Sequence, residues 1–288
     1  MKATNQYDEK ILDNSHLFND PFYKRFTLKP YTLRLDDKTE KTYSFPTFYG
    51  DVTVGIGIFT CSAIKAKELM PHPKMKPVLL KPGKAIVIFS CYEYKNVMGI
   101  PPYNEIAITV PVLIDPVVSI PALPMVMSSL FKKFGYYVFS MPVTSLENQL
   151  RGRKIWGLPK VVQDIDMIEQ DNTHITTAKE EDGRTYFELR VPMGGIPREF
   201  DVSSNLYSRQ GKRLLQAETN FKAVFNVNKK PKQLATNEPW LKLYDTPNGK
   251  LLKRLEIDEI PFQFRFAKHM TACFDLPNSE YKAPFQFK

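Results

Sequence analysis

A chain of 288 residues, 43% hydrophobic and 12% aromatic, has enough apolar material for one large core or two modest ones. No run reaches the ~18 uninterrupted apolar residues of a membrane span, since the longest candidate, 117–130, is broken by Pro121 and Pro124. The net charge of +9 comes from basic residues scattered among acidic ones; short clusters such as Lys229, Lys230 and Lys232, or Lys250, Lys253 and Arg254, read as solvated loops that can steer small anions, and no nucleic-acid partner is expected.

Residues 1–45 are polar and charge-rich, with Phe22, Tyr23, Phe26, Tyr31 and Leu33 as apolar anchors, and are expected to form an extension packed on a main domain spanning 46–288. The first ten residues hold no apolar stretch and carry Asp8 and Glu9, so no leader is expected and the cytoplasm is the expected compartment. Beyond Pro46, apolar runs of strand length alternate with prolines and glycines, at 52–59, 84–92, 105–112, 136–139, 161–168, 185–191 and 222–226. Helical signals are fewer: 63–70, which ends before Pro71, and 145–149, where Ser145 is a candidate cap. This rhythm lacks the strand–helix–strand alternation of a doubly wound fold. With 23 prolines it predicts a curved sheet or barrel with many turns.

Several motifs carry no chemistry. The G-x-G of Gly55 and Gly57 lacks the third glycine and following helix of a dinucleotide loop. The four histidines, His16, His72, His174 and His269, have no partner at ligand spacing, and Cys61, Cys91 and Cys273 read as separate reduced thiols, so no metal is expected. Gly194 and Gly195 read as a turn.

One segment stands apart: 151–160, R-G-R-K-I-W-G-L-P-K. Pro159 fixes the backbone before Lys160, Gly157 permits a tight turn, and Ile155, Trp156, Leu158, Val161 and Val162 can wall the amine from water, which would lower its pKa by desolvation. The segment resembles the signature of the acetoacetate decarboxylase family, roughly G-R-E-x-x-G-[FY]-P-K, whose final lysine forms a Schiff base with the substrate. A second island, 103–112 (Y-N-E-I-A-I-T-V-P-V), resembles the family strand that carries an active-site glutamate, here Glu105. Its period of two places Glu105, Ala107 and Thr109 on one face and Ile106, Ile108 and Val110 on the other. Two weaker islands follow: 138–142, with Met141 matching a pocket methionine, and 269–277, read as a closing strand of structural role.

The resemblance implies a mainly β, α+β fold built on a cone-shaped barrel with a few flanking helices, assembled as a homo-oligomer. It implies a carbon–carbon lyase that decarboxylates a small β-keto acid, with Lys160 and Glu105 catalytic and Met141, Trp156, Leu158 and Arg153 at the substrate pocket. No cofactor is implied, because the protonated imine is itself the electron sink. This chain departs from the family pattern in four places. Val161 stands where the family has a second lysine, Val52 at the carboxylate-binding arginine, Ser90 at an acidic position, and Lys154 at the glutamate of G-R-E. Apolar burial then has to lower the Lys160 pKa without the second lysine, unless Lys154 or Arg153 approaches. These departures leave two alternatives: a Schiff-base aldolase-dehydratase of the same superfamily, or a barrel that binds a small molecule without catalysis.

Overall fold

Runs of β-branched and aromatic residues punctuated by proline and glycine form sixteen strands among the residues described by the computed structural model, 1–116, 120–127, 130–229 and 238–277. Part of the 117–130 run, with Lys230 and Lys232, lies outside the described residues. A hairpin of β1 (Lys29–Arg34) and β2 (Glu40–Phe45) leads into β3 (Thr47–Ser62), helix α1 (Ala63–Glu68), the short β4 (Met75–Pro77) and β5 (Leu79–Lys81), then β6 (Lys84–Val97) and β7 (Tyr103–Ile114). Next come α2 (Leu123–Val126), β8 (Phe134–Val143), α3 (Leu146–Trp156), β9 (Lys160–Val162), β10 (Ile165–Gln170), β11 (Thr173–Lys179) and β12 (Thr185–Pro192). The long strands β13 (Ile196–Gln210) and β14 (Arg213–Lys229), then β15 (Leu241–Leu243), α4 (Pro247–Lys253) and β16 (Gln263–Pro277), complete the described chain.

Seven strands run in the order β7-β6-β3-β16-β14-β13-β8, and pairing of β7 with β8 closes them into a barrel. β9 adds to β8 in parallel, and β10, β11, β12 and β15 form a separate antiparallel sheet. Every residue of β7 is buried, because both of its faces are covered. Ile106, Ile108 and Val110 point into a core shared with Phe187, Leu189 and Val191 of the second sheet. Tyr103 and Ala107 belong to a second core with Val52, Val54, Met141, Trp156 and Phe225. Each such aliphatic or aromatic side chain taken from water contributes about 1.5–3 kcal/mol, so a strand clad on both faces anchors both layers.

The G-x-G of β3 is a packing device. A Cβ on Gly55 would lie 2.8 Å from the His174 ring, and one on Gly57 3.0 Å from Leu189, so the bare backbone admits the second sheet. Gly194 and Gly195 sit in the connection from β12 to β13, where Gly195 takes φ +155°.

The expected strands all lie within observed ones except 161–168, which splits: β9 pairs with Met141–Val143 in the barrel, while β10 leaves for the second sheet. Helix 63–70 is Ala63–Glu68, and the turn expected at 145–149 is the first part of the eleven-residue α3. No described helix is long and apolar enough to cross a membrane.

Candidate active site

The site is assembled around α3. The Ser145 side chain caps the helix by accepting from the Asn148 amide at 3.3 Å, and Gly157, with φ +61°, ends it. A Cβ on Gly157 would sit 2.6 Å from the Arg209 carbonyl, so this sharp exit needs glycine. The chain then turns through Leu158 and Pro159 into β9, where Lys160 lies opposite Met141 of β8. From there the lysine stem runs back across the helix at Gly152, where an added Cβ would come within 2.7 Å of Lys160 Cε. Arg153 fixes the backbone at this point, its Nε donating to the Lys160 carbonyl at 2.7 Å.

Lys160 Nζ donates to Glu105 Oε2 at 2.6 Å, and the two residues are only 5% and 4% exposed. Glu105 arrives on β7 between Tyr92 of β6 and Val143 of β8. Its other oxygen lies 3.4 Å from the Tyr94 hydroxyl, which donates to it. The Tyr103 ring lies 5.7 Å from the amine. Burial lowers the Lys160 pKa; Glu105 opposes that shift, and the Arg151 cation reinforces it.

Arg151 is 1% exposed and stacks over the Tyr43 ring at 4.4 Å. Its guanidinium donates to Asn148 Oδ1 at 3.1 Å and to Thr47 Oγ1 at 2.9 Å, and its Nε has no hydrogen-bond acceptor among the described residues. Nearby, Glu147 accepts from Lys41 at 3.0 Å and from the Tyr43 hydroxyl at 2.7 Å. Among the described residues the fully buried lysine, arginine and acidic side chains are thus Lys41, Arg151 and Lys160 against Glu105 and Glu147. These charges cancel when Lys160 is neutral and leave one cation over when it is protonated, and an uncompensated buried charge is costly.

The amine opens onto a cavity inside the barrel to which all seven strands contribute. Tyr49 and Ile56 come from β3, Tyr92 and Tyr94 from β6, Glu105 and Ala107 from β7, and Met141 from β8. Leu206 comes from β13, Thr219, Phe221 and Phe225 from β14, and Met270 through Phe274 (without Thr271) from β16; Asn148, Trp156 and Leu158 of the α3 segment close the wall. Trp156 stacks on Phe274 at 4.7 Å between ring centroids, and its indole N–H donates to the Asp275 carbonyl at 2.7 Å. Lys160 and Glu105 are the only ionisable acids or bases among Asp, Glu, Lys, Arg and His on this lining, as far as the described residues extend.

Lys160, Glu105, Met141, Trp156 and Leu158 are therefore brought together as the sequence leads one to expect, and Arg153 is not: it is exposed and lies outside the cavity lining. Val52 is buried in the apolar second core, and Lys154 reaches away to the carbonyls of Arg34 and Leu35. The cation that acts on Lys160 is Arg151, which sequence reasoning passed over, as it did Tyr49, Tyr92, Tyr94 and the phenylalanines of β14 and β16. One signal was available: Glu147, Asn148, Arg151 and Ile155 recur at helical spacing and share the buried face.

The family model for acetoacetate decarboxylase (ADC) matches residues 31–234. No curated protein sequence matches the chain. Among solved structures, the acetoacetate decarboxylase from Legionella pneumophila subsp. pneumophila str. Philadelphia 1 superposes with TM-score 0.57 at 16% identity, covering 92% of this chain and 98% of that one. A second acetoacetate decarboxylase gives 0.55 at 13% identity over 81% and 87% of the two chains. The enduracididine biosynthesis enzyme MppR complexed with pyruvate gives 0.53 at 13% identity over 80% and 90%. At such identities the structural matches speak for a shared fold, whereas the family match spans most of the barrel and the whole segment around Lys160. The chain belongs to the acetoacetate decarboxylase family.

Proposed function

We propose that the protein is a carbon–carbon lyase in which Lys160 forms an imine with a β-keto acid. One observation carries this reading: a buried amine, 2.6 Å from a buried carboxylate, at the wall of an apolar cavity. A lysine at its ordinary pKa of about 10.4 is neutral in only about 1 molecule in 2,500 at pH 7, and only the neutral amine attacks a carbonyl. Desolvation and a neighbouring cation both raise that fraction, and acetoacetate decarboxylase is itself the standard example of a lysine activated in these ways. Here burial supplies the first device and Arg151 the second.

The Lys160 nitrogen adds to the ketone carbon, and loss of water, with proton transfer through Glu105, gives the protonated imine. The bond between the α-carbon and the carboxylate then breaks. Its electron pair moves to the imine nitrogen as an enamine, and carbon dioxide leaves. Protonation of the α-carbon and addition of water release the ketone and restore the amine. Tyr94 holds the second oxygen of Glu105, which keeps the carboxylate aimed at the nitrogen.

A second reading keeps the imine and directs the enamine to an aldehyde. It is favoured by the cavity lining, which offers a substrate carboxylate no cation besides Lys160 among the described residues, and by Val52 in place of an arginine. MppR has been captured with the condensation product of pyruvate and imidazole 4-carboxaldehyde. Incubation with acetoacetate and borohydride is expected to add mass to the peptide bearing Lys160, and Lys160→Ala to remove that label. Carbon dioxide release above the Lys160→Ala control supports decarboxylation, and an aldehyde-dependent product from pyruvate supports the aldol reading. A folded protein that gains no mass at Lys160 with any keto acid in a broad panel rules out both and leaves a binding barrel.

A further inference from the structure

Two rows of paired residues cross the barrel wall beside the amine. In the first, Glu105 of β7 lies opposite Tyr92 of β6, Tyr92 opposite Val54 of β3, and Val54 opposite Ala267 of β16. The second lies two residues further along each strand and runs Ala107, Ser90, Ile56, Arg265. Glu105, Tyr92, Ala107 and Ile56 all line the cavity, so both rows face the interior. Phe264 and Phe266 point the other way, into the core shared with the second sheet, which turns Arg265 inward as well.

The first row is already committed, since Glu105 holds Lys160 and accepts from Tyr94. The Tyr92 ring is stacked on that of Tyr94, 5.2 Å between centroids and 10° from parallel, and its hydroxyl reaches the Ser90 hydroxyl of the second row. Burial raises the Tyr92 pKa to about 12, with Ser90 opposing it as a donor, so at neutral pH the phenol keeps its proton and can give it to an incoming acceptor. Arg265 gives this level of the lumen a positive field. Its Nε donates to Gln263 at 2.7 Å, its guanidinium lies 4.9 Å from the Phe200 ring centroid, and no carboxylate pairs with it among the described residues.

Resting on the imine reading above, we propose that Tyr92 receives the substrate's carboxylate, its hydroxyl donating to that anion while Lys160 holds the ketone carbon. In the imine of a β-keto acid the carboxylate lies two bonds beyond the imine carbon, so a donor to its oxygens belongs about 6–7 Å from the nitrogen, which is one strand repeat of two residues. A neutral donor suits the chemistry. Cleavage turns the carboxylate into uncharged carbon dioxide and leaves its electron pair in the enamine. A full ion pair would stabilise the reactant and be lost in the transition state, whereas a single phenol orients the anion with less of that penalty.

The test compares Tyr92→Phe with the parent in the full-length protein, on anionic acetoacetate and on neutral acetone. Phenylalanine keeps the ring stacked on Tyr94 and removes only the hydroxyl. The second-order rate of borohydride labelling at Lys160 is expected to fall by about 10- to 100-fold for acetoacetate, the scale of a lost hydrogen bond to a charged group, and to stay within about twofold for acetone. A merely structural hydroxyl would move both ligands together. Equal losses, or no loss for acetoacetate, therefore overturn the assignment while labelling of Lys160 keeps the imine reading intact. Should neither keto acid nor ketone label Lys160 in the parent, the imine reading falls, and the role of Tyr92 is decided by titration of acetoacetate and acetone followed by tryptophan fluorescence. Selective weakening of acetoacetate in Tyr92→Phe supports it; equal weakening, no weakening, or no binding by the parent overturns it.

Discussion

At the scale of single residues, the proposed imine chemistry makes Arg151, a buried cation on the same helix face, worth testing. Its guanidinium faces two neutral oxygens and aromatic rings, and no carboxylate is hydrogen-bonded to it among the described residues. Burial is the larger cause of the lowered Lys160 pKa and the Arg151 cation adds to it, so on the imine reading Arg151 favours the neutral, reactive amine. The sign of the pH dependence follows. The amine is neutral above its folded pKa, and because burial and Arg151 lower that pKa, imine formation rises with pH through a midpoint below the ordinary lysine value. In Arg151→Met the midpoint is expected to move up, at a cost of about tenfold in trapping rate at pH 7 for each unit. Arg151→Lys, which keeps the charge, is expected to restore most of the shift. The pH profile of borohydride trapping reads this directly, and an unmoved midpoint in a folded Arg151→Met variant would show that Arg151 acts only on packing. Lys160 and Glu105 were legible because the motif around each is distinctive. Arg151 was not, because an arginine in a charge-rich helix reads as solvated, and Arg153 was misplaced for the complementary reason. Two positions along a helix turn a side chain about 200° around the axis, so burial of Arg151 sends Arg153 out to solvent.

At the scale of the element, α3 serves as the floor over which the lysine lies, and Gly152 is where the two touch. In an exposed helix interior, glycine to alanine gains about 0.5–1 kcal/mol. Here the added methyl would press on Lys160 Cε and push Nζ away from Glu105. Gly152→Ala is expected to melt within about 1 kcal/mol of the parent, since the helix gains what the contact loses, yet to form the imine about a hundredfold more slowly, the scale of penalty for a displacement near 1 Å. Melting temperature and single-turnover trapping separate the two effects, and a parental trapping rate would mean the lysine finds another path. The full length of α3 was hidden for this reason: Gly152 interrupts the pattern, and the buried face mixes Glu147, Asn148 and Arg151 with Ile155 and Trp156, so no apolar stripe marks it. Strand β2 was hidden in the same way. Its buried positions are Lys41, Tyr43 and Phe45, and a lysine at the first of them breaks the alternation that would have announced a strand. Strands β3, β6 and β7 were legible because each holds a stretch, 52–59, 86–89 and 106–114, that is largely apolar and largely buried on both faces.

Across the whole molecule, the N-terminal segment and the barrel meet on the helix that carries the site. Lys41 of β2 binds Glu147 of α3 with both side chains almost wholly buried, the Thr4 amide donates to the Thr144 carbonyl just before the helix, and Lys154 ties its far end to the carbonyls of Arg34 and Leu35. Thr4, Arg34, Leu35 and Lys41 thus fasten α3 along its length, while Gly152 meets the Lys160 stem and the Arg151 cation acts on its amine. These two jobs are separable. Glu147→Ala leaves the Lys41 ammonium and the Tyr43 hydroxyl buried without their acceptor and is expected to cost about 3–5 kcal/mol in denaturant unfolding. Replacing both charges, as Lys41→Met with Glu147→Leu, removes one cation and one anion together and is expected to lie within about 1–3 kcal/mol of the parent, since a packed apolar pair often replaces a buried ion pair at little cost and the loss left is that of the Tyr43 hydroxyl's acceptor. Because removing opposite charges as a pair leaves the net buried charge around Lys160 unchanged, the double variant is expected to keep the parental pH midpoint of imine trapping, in contrast to Arg151→Met. If the midpoint moved with the double variant, the Lys41 and Glu147 pair would belong to the tuning of the amine, and the division of labour between the outer clamp and the inner cation would have to be given up.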